Sequence, residues 1–199
     1  AFRAPDGDQD AMKVPDLRRL APALAAVTML LAACASAPTP PDWKLNARQA
    51  VDAAVVAYLE GNARAEAAES ARARGEIART GRADLLARAE LMRCAARVAS
   101  LVFEPCEGFE SLRADAAAAE LAYADYLAGR ISPQQIALLP EPHRALAAAN
   151  DSAAAAALRA IDDPLSRLIA AGVLFRTSRA SPEVLQIAVD TASSQGWRR

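Results

Sequence analysis

From Trp43 onward, apolar residues recur at three- and four-residue spacings, and no convincing alternation of period two sets in. The pattern predicts an all-α fold, and its punctuation predicts the helices. Asn46 with Gln49 three residues on reads as a capping box, opening a helix that runs through Val51, Val55 and Tyr58 to Gly61, where a left-handed C-cap is natural. Asn62 caps a second helix that ends at Gly81 and carries pairs such as Arg72 and Glu76 one turn apart on a solvated face. So short a connection makes the two helices pack antiparallel.

A third helix, 83 to about 102, is the expected centre of the core. Leu91, Cys94, Val98 and Leu101 form its apolar ridge, with Glu90, Arg93, Arg97, Ser100 and Glu104 as a wet stripe on the other side. Burying a side chain such as Val98 or Leu101 contributes about 1.5 to 3 kcal/mol, so a charge at either position should be costly. Further on, Asp115 is the expected cap of a helix through Leu121, Tyr123 and Tyr126 to Gly129, and Ser132-Pro133 with Gln135 opens a short one. Helices are expected over 152–161, 164–175 and 182–195, because Asp163-Pro164 and Ser181-Pro182 are start signals and Gly196 is a stop. The short run after Gly196 leaves a truncated final segment open, and Trp197 can fold back as a staple or dock on residues beyond it.

Ala57-Tyr58-Leu59-Glu60-Gly61 returns loosely as Asp125-Tyr126-Leu127-Ala128-Gly129, each at a helix end. Helix pairs joined by such turns weakly resemble tetratricopeptide repeats, although the period of about 34 residues is missing. The expected architecture is antiparallel helical hairpins in a repeat-like or irregular stack, with a closed helical bundle as the alternative.

Upstream of the helices the pattern changes. Lys13, Arg18 and Arg19 precede an apolar run of 14 residues, Leu20 to Ala33. That is short of the roughly 20 needed to cross a bilayer but fits the roughly 7 to 15 of a signal peptide. The run closes on Leu31-Ala32-Ala33-Cys34, where small residues suit a peptidase groove and the thiol is a nucleophile able to accept a lipid. Ala33-Cys34-Ala35 and Ala35-Ser36-Ala37 also satisfy an ordinary Ala-x-Ala cleavage site.

This segment resembles the lipobox of bacterial lipoprotein precursors, with Leu31, Ala32 and Ala33 as peptidase recognition and Cys34 as the lipidated residue. The resemblance implies two or three acyl chains on Cys34, which together anchor far more firmly than one. It also implies passage to the periplasmic face of the outer membrane, since Ala35 replaces the Asp that retains such proteins in the inner membrane; an inner-membrane lipoprotein and a soluble periplasmic protein are the alternatives. The mature part looks like uncharacterised helical lipoproteins of beta-proteobacteria, a likeness that implies no activity. Residues 1–11, ahead of Met12, read as an overextended start, 12–33 as the signal peptide, 34–42 as a proline-rich lipidated tether, and 43–199 as a single helical domain.

Assigning Cys34 to lipid leaves Cys94 and Cys106 as an even pair in an oxidising compartment. A disulfide is the default, feasible if the third helix stops in time for Pro105 to reverse the chain; two separately buried thiols are the alternative. No metal site is expected, because no further Cys or suitably placed His completes four ligands. Charge excludes little more. The chain carries 23 Lys and Arg against 24 Asp and Glu, without the basic stripe that nucleic acid requires.

Candidate chemistry is sparse, and no catalytic residue or cofactor is expected. His143, the single histidine, reads as a surface residue in the first turn of a short helix. Glu104, Glu107 and Glu110 match no calcium loop and read as a solvated acidic turn. Asp162 and Asp163 sit where helix capping explains them. Tyr58, Tyr123 and Tyr126 could line a groove for a partner, with packing anchors as the plainer account. The function expected is an acyl-anchored periplasmic adaptor or scaffold for a cell-envelope assembly, not an enzyme. The alternative is a small-ligand or enzymatic domain with a pocket between helices.

Overall fold

A computed structural model of the chain describes residues 40–199. Leu31, Ala32, Ala33 and Cys34, the segments 1–11 and 12–33, and most of the tether lie outside the described residues. Among the described residues there are helices and no strand, so the fold is all-α.

The first hairpin is α1 (Asp42–Leu59) and α2 (Ala63–Ala78). α1 starts ahead of the expected capping box. Pro41 occupies its cap with φ −59° and accepts from the Lys44 N–H at 2.9 Å. Asn46 therefore lies inside the helix. At the other end Gly61 takes φ +82°, and the Gly61 and Asn62 N–H groups close on the carbonyls of Tyr58 and Ala57 at 3.0 and 2.8 Å, a Schellman motif. The Asn62 side chain then accepts from Ala65 N–H at 3.1 Å to start α2. Buried positions of the pair are mostly small, Ala50, Ala54 and Ala57 against Ser70 and Ala73, which lets the backbones approach closely. On α2, Arg72 pairs with Glu69 at 3.0 Å instead of Glu76, which takes Arg79 at 3.2 Å.

α3 (Ala83–Ala99) is the central helix, and it is covered on two sides. One side, Ala87, Leu91, Ala95 and Val98, belongs to the largest core cluster. The other meets the first hairpin: Ala96 packs with Val55, Tyr58 and Leu59, and Ala89 with Ala47 and Ile77. The expected wet stripe is thus corrected. Glu90 is only 4% exposed, and accepts from Arg74 Nε at 2.7 Å and Arg93 Nη1 at 3.0 Å. Glu66 on α2 meets Arg97 at 3.3 Å and Arg93 at 3.7 Å. Charges taken out of water must be paired, and here the pairing keeps a polar sequence under a covering hairpin.

A second correction falls at the end of α3. The helix stops at Ala99, and Leu101 takes φ +59°. The N–H groups of Leu101 and Val102 bond to Val98 and Arg97 at 3.0 and 2.8 Å, so Leu101 fills the position usually given to glycine. The turn aims its side chain outward, leaving it 48% exposed instead of on the ridge.

The chain then runs through a single helical turn, α4 (Glu107–Glu110), and a 3₁₀ turn, Arg113–Asp115, into α5 (Ala118–Leu127). Asp115 closes the 3₁₀ turn; the cap of α5 is Ala117, two residues later than expected. Cys94 on α3 and Cys106 just before α4 lie with Cα atoms 5.8 Å apart and sulfurs at bonding distance. Ser132 and Gln135 form the expected capping box, although the segment they open, Pro133–Leu138, is 3₁₀. Four helices complete the chain: α6 (Glu141–Ala148), α7 (Asp151–Arg159), α8 (Pro164–Arg176) and α9 (Pro182–Gln195).

α8 is buried on every side from Leu168 to Leu174 because two clusters share it. Ile169 and Val173 join the α3 core, while Ala170, Ala171 and Leu174 join α6, α7 and α9. At Gly172 an added Cβ would collide with the backbone carbonyl of Val98, so α8 and α3 touch backbone to backbone there. Trp197 folds back onto Tyr58 and Leu59, and Arg198 and Arg199 donate their N–H groups to the Leu59 carbonyl at 2.9 and 3.2 Å. No helix among the described residues is long and apolar enough to cross a membrane.

Candidate functional site: a cleft floored by tyrosine and histidine

α3, α5, α6 and the start of α8 enclose a half-open cleft of about 470 Å³. Its position follows from the core: α5 and α8 both pack on α3, and α6 bridges them across one end. Apolar walls come from Leu91, Met92, Leu139 and Ile169. The floor is aromatic. The rings of Tyr126 and His143 have centroids 5.0 Å apart, and Tyr123 stands 5.7 Å from His143 and 6.1 Å from Tyr126.

His143 is 2% exposed, which overturns its expected surface position. The signal was present in the sequence: His143 precedes the fully buried Leu146 by three residues on the same helix, so the two share its inner face. Its Nδ1 lies 3.4 Å from Tyr126 Oη. Burial pulls the imidazole pKa down to about 4, only partly opposed by the nearby Asp163 carboxylate. His143 is therefore neutral at neutral pH. Burial likewise pushes both phenols above their ordinary value, reinforced for Tyr123 by Asp163.

Charged residues stand at the rim, and each already has a task. Arg88 grips Glu120 Oε1 through Nε at 2.8 Å and Nη2 at 2.5 Å. Arg144 Nε donates to the Leu139 carbonyl at 2.7 Å. Asp163 accepts from Ser166 N–H at 2.7 Å and caps α8, in keeping with the capping reading. Ser166, His143 and Asp163 all line the cleft, but His143 bonds to neither; the nitrogen that an acid would orient is turned to Tyr126. A nucleophile must be within hydrogen-bond reach of its base.

The other expected residues fall elsewhere. The three tyrosines do not share a groove: Tyr123 lines the cleft, Tyr126 is buried against it and His143, and Tyr58 sits in the α1 cluster beneath the guanidinium groups of Arg97 and Arg199, at 5.1 and 4.8 Å. All three are buried. Glu104, Glu107 and Glu110 lie exposed, Glu110 holding Arg113 through both oxygens at 2.7 and 2.8 Å. That guanidinium keeps the Glu110 carboxyl below its usual range. Sequence reading also missed a surface feature. Phe103 stacks on Phe175 at 6.3 Å with Arg176 above it, and Phe175 is left 44% exposed.

The described part is thus an all-α domain with a paired-charge seam, a disulfide-distance cysteine pair and a mixed polar and apolar cleft between α3, α5, α6 and α8. No protein-family model, curated protein or solved structure matches the chain.

Proposed function

We propose that the chain is an acyl-anchored lipoprotein of the cell envelope, whose helical domain is a non-enzymatic adaptor or scaffold on the periplasmic face of the outer membrane. The anchor reading rests on Leu31-Ala32-Ala33-Cys34 behind a basic, then apolar, segment. Two features are consistent with it. Cys94 and Cys106 lie at bonding distance, a pairing that persists in oxidising compartments. Pro40 follows Cys34 by six positions, a reach of at most about 20 Å, so the domain would ride close to an acylated surface.

The observation that carries the adaptor reading is the stacked aromatic pair Phe103 and Phe175, with Phe175 44% exposed. Contiguous apolar surface of this kind is what a protein partner covers, and Arg176 above the ring supplies a residue type enriched in interfaces.

The experiment has two arms. Cys34→Ala should abolish acyl-lipid labelling in cells; labelling that persists removes the anchor. A photo-crosslinking residue at Phe175 should trap one envelope protein, and Phe103→Ala should weaken the capture. No trapped partner from position 175 removes the adaptor.

A further inference from the structure

We propose that the cleft between α3, α5, α6 and α8 is a binding site for a small uncharged molecule with a flat apolar body and one hydrogen-bonding oxygen, met by Tyr123 Oη and the outer nitrogen of His143. The inference stands on the cleft alone and does not require the anchor or the adaptor role.

Three observations converge. The first is open polarity at the floor. Tyr123 is 8% exposed and His143 2%, and among the described residues the Tyr123 hydroxyl has no protein hydrogen-bond partner while His143 engages only through Nδ1. Neither free atom is sealed in the interior, where only Ser70 Oγ and Arg93 Nε lack partners among the described residues, so both are open to the cleft. Both groups line the cleft, so a ligand oxygen placed there would supply what the protein does not. If Tyr126 donates to Nδ1 the outer nitrogen of His143 is a donor, and if Nδ1 donates to Tyr126 it is an acceptor; a ligand hydroxyl and the Tyr123 hydroxyl match either case.

The second is the balance of charge. Two cations, Arg88 and Arg144, face two anions, Glu120 and Asp163, around the opening. Arg88 is spent on Glu120 and Asp163 on the cap of α8. A charged ligand would leave water for a site with no net counter-charge, which is unfavourable. An uncharged one incurs no such cost.

The third is shape and lining. About 470 Å³ lies within the range of small-molecule pockets, and Leu91, Met92, Leu139 and Ile169 give them their usual apolar walls with few, convergent polar groups. The Tyr123 ring lines the cleft and is already stacked on the buried Tyr126 at 6.1 Å, so a flat body can continue the stack on Tyr123.

Because His143 is the single histidine, its imidazole proton signal reports on the cleft without assignment ambiguity. The test is an NMR titration of the protein with 2-naphthol, and in parallel with 2-naphthoate and 2-naphthylmethylamine as anionic and cationic counterparts. A saturable shift of the His143 signal by 2-naphthol is expected, with both charged probes at least tenfold weaker. Tyr123→Phe should weaken 2-naphthol about tenfold. Met92→Trp, on the half-buried wall, should abolish the shift without touching the floor. No saturable shift, equal affinity for a charged probe, or a shift unchanged in both variants would overturn the proposal.

Discussion

Protonating His143 would create a positive charge at a position 2% exposed, between two phenol rings and against apolar neighbours. The fold resists this, and its imidazole titrates near pH 4 instead of 6.5. As the pH drops, the unfolded chain takes up the proton first, so stability is complete above about pH 6.5 and is lost through the window from 6.5 to 4. Between pH 7 and pH 5 the shift corresponds to about 2 kcal/mol, at 1.36 kcal/mol per pKa unit. Few carboxylates titrate in that interval, so urea unfolding at the two pH values should show a fall of this size that is absent in His143→Gln. An equal fall in the variant would locate the pH dependence elsewhere. At the alkaline end the sign reverses: the raised Tyr123 and Tyr126 stabilise the fold below about pH 10 and cease to do so as the unfolded phenols ionise above it.

Helix ends were legible wherever backbone chemistry forces them. Pro182 and Gly196 bound α9 as the sequence suggested, with Gly196 at φ +66°, because proline fixes its own φ and glycine tolerates the left-handed region. The end of α3 was not legible, since Leu101 performs the same turn without glycine's freedom. A side chain in that conformation costs roughly 1 to 2 kcal/mol, and Leu101 recovers little by burial at 48% exposure. Leu101→Gly should therefore stabilise the domain by about 0.5 to 1 kcal/mol, after allowing for the extra freedom glycine gives the unfolded chain. Thermal unfolding checks it: the midpoint should rise by a few degrees. A fall would mean that Leu101 covers apolar surface in the folded protein. Asn46 fails for the opposite reason. Its capping chemistry is sound, but Pro41 starts the helix earlier, and a cap-forming residue inside a helix looks no different in sequence.

At the scale of the whole molecule, the helical class and the short hairpin connection are visible in the chain, whereas the covering of α3 by that hairpin is not. A buried seam normally declares itself by apolar residues; here Glu66, Glu90, Arg93 and Arg97 pair with one another instead, and a paired charge reads as a solvated one. The cleft is hidden for a related reason, because Arg88, Tyr123, His143 and Asp163 come from four separate stretches of sequence that only the packing of α3, α5, α6 and α8 brings together. Trp197 tests how that long-range packing is held. It lies against Tyr58 and Leu59, and the two residues after it bond to the Leu59 carbonyl, one of the helix-end acceptors that α1 cannot satisfy internally. The last described residues therefore fasten the turn of the first hairpin, and Arg199 above the Tyr58 ring adds to the contact. Removing the indole with Trp197→Ala should cost about 1 to 3 kcal/mol, less than a fully buried aromatic because the ring is half exposed. Native-state hydrogen exchange should then quicken first at the end of α1 and the start of α2, while α8 and α9 keep their protection. Uniform acceleration across the molecule would show that the tail stabilises the domain globally and does not act as a local fastening of the hairpin.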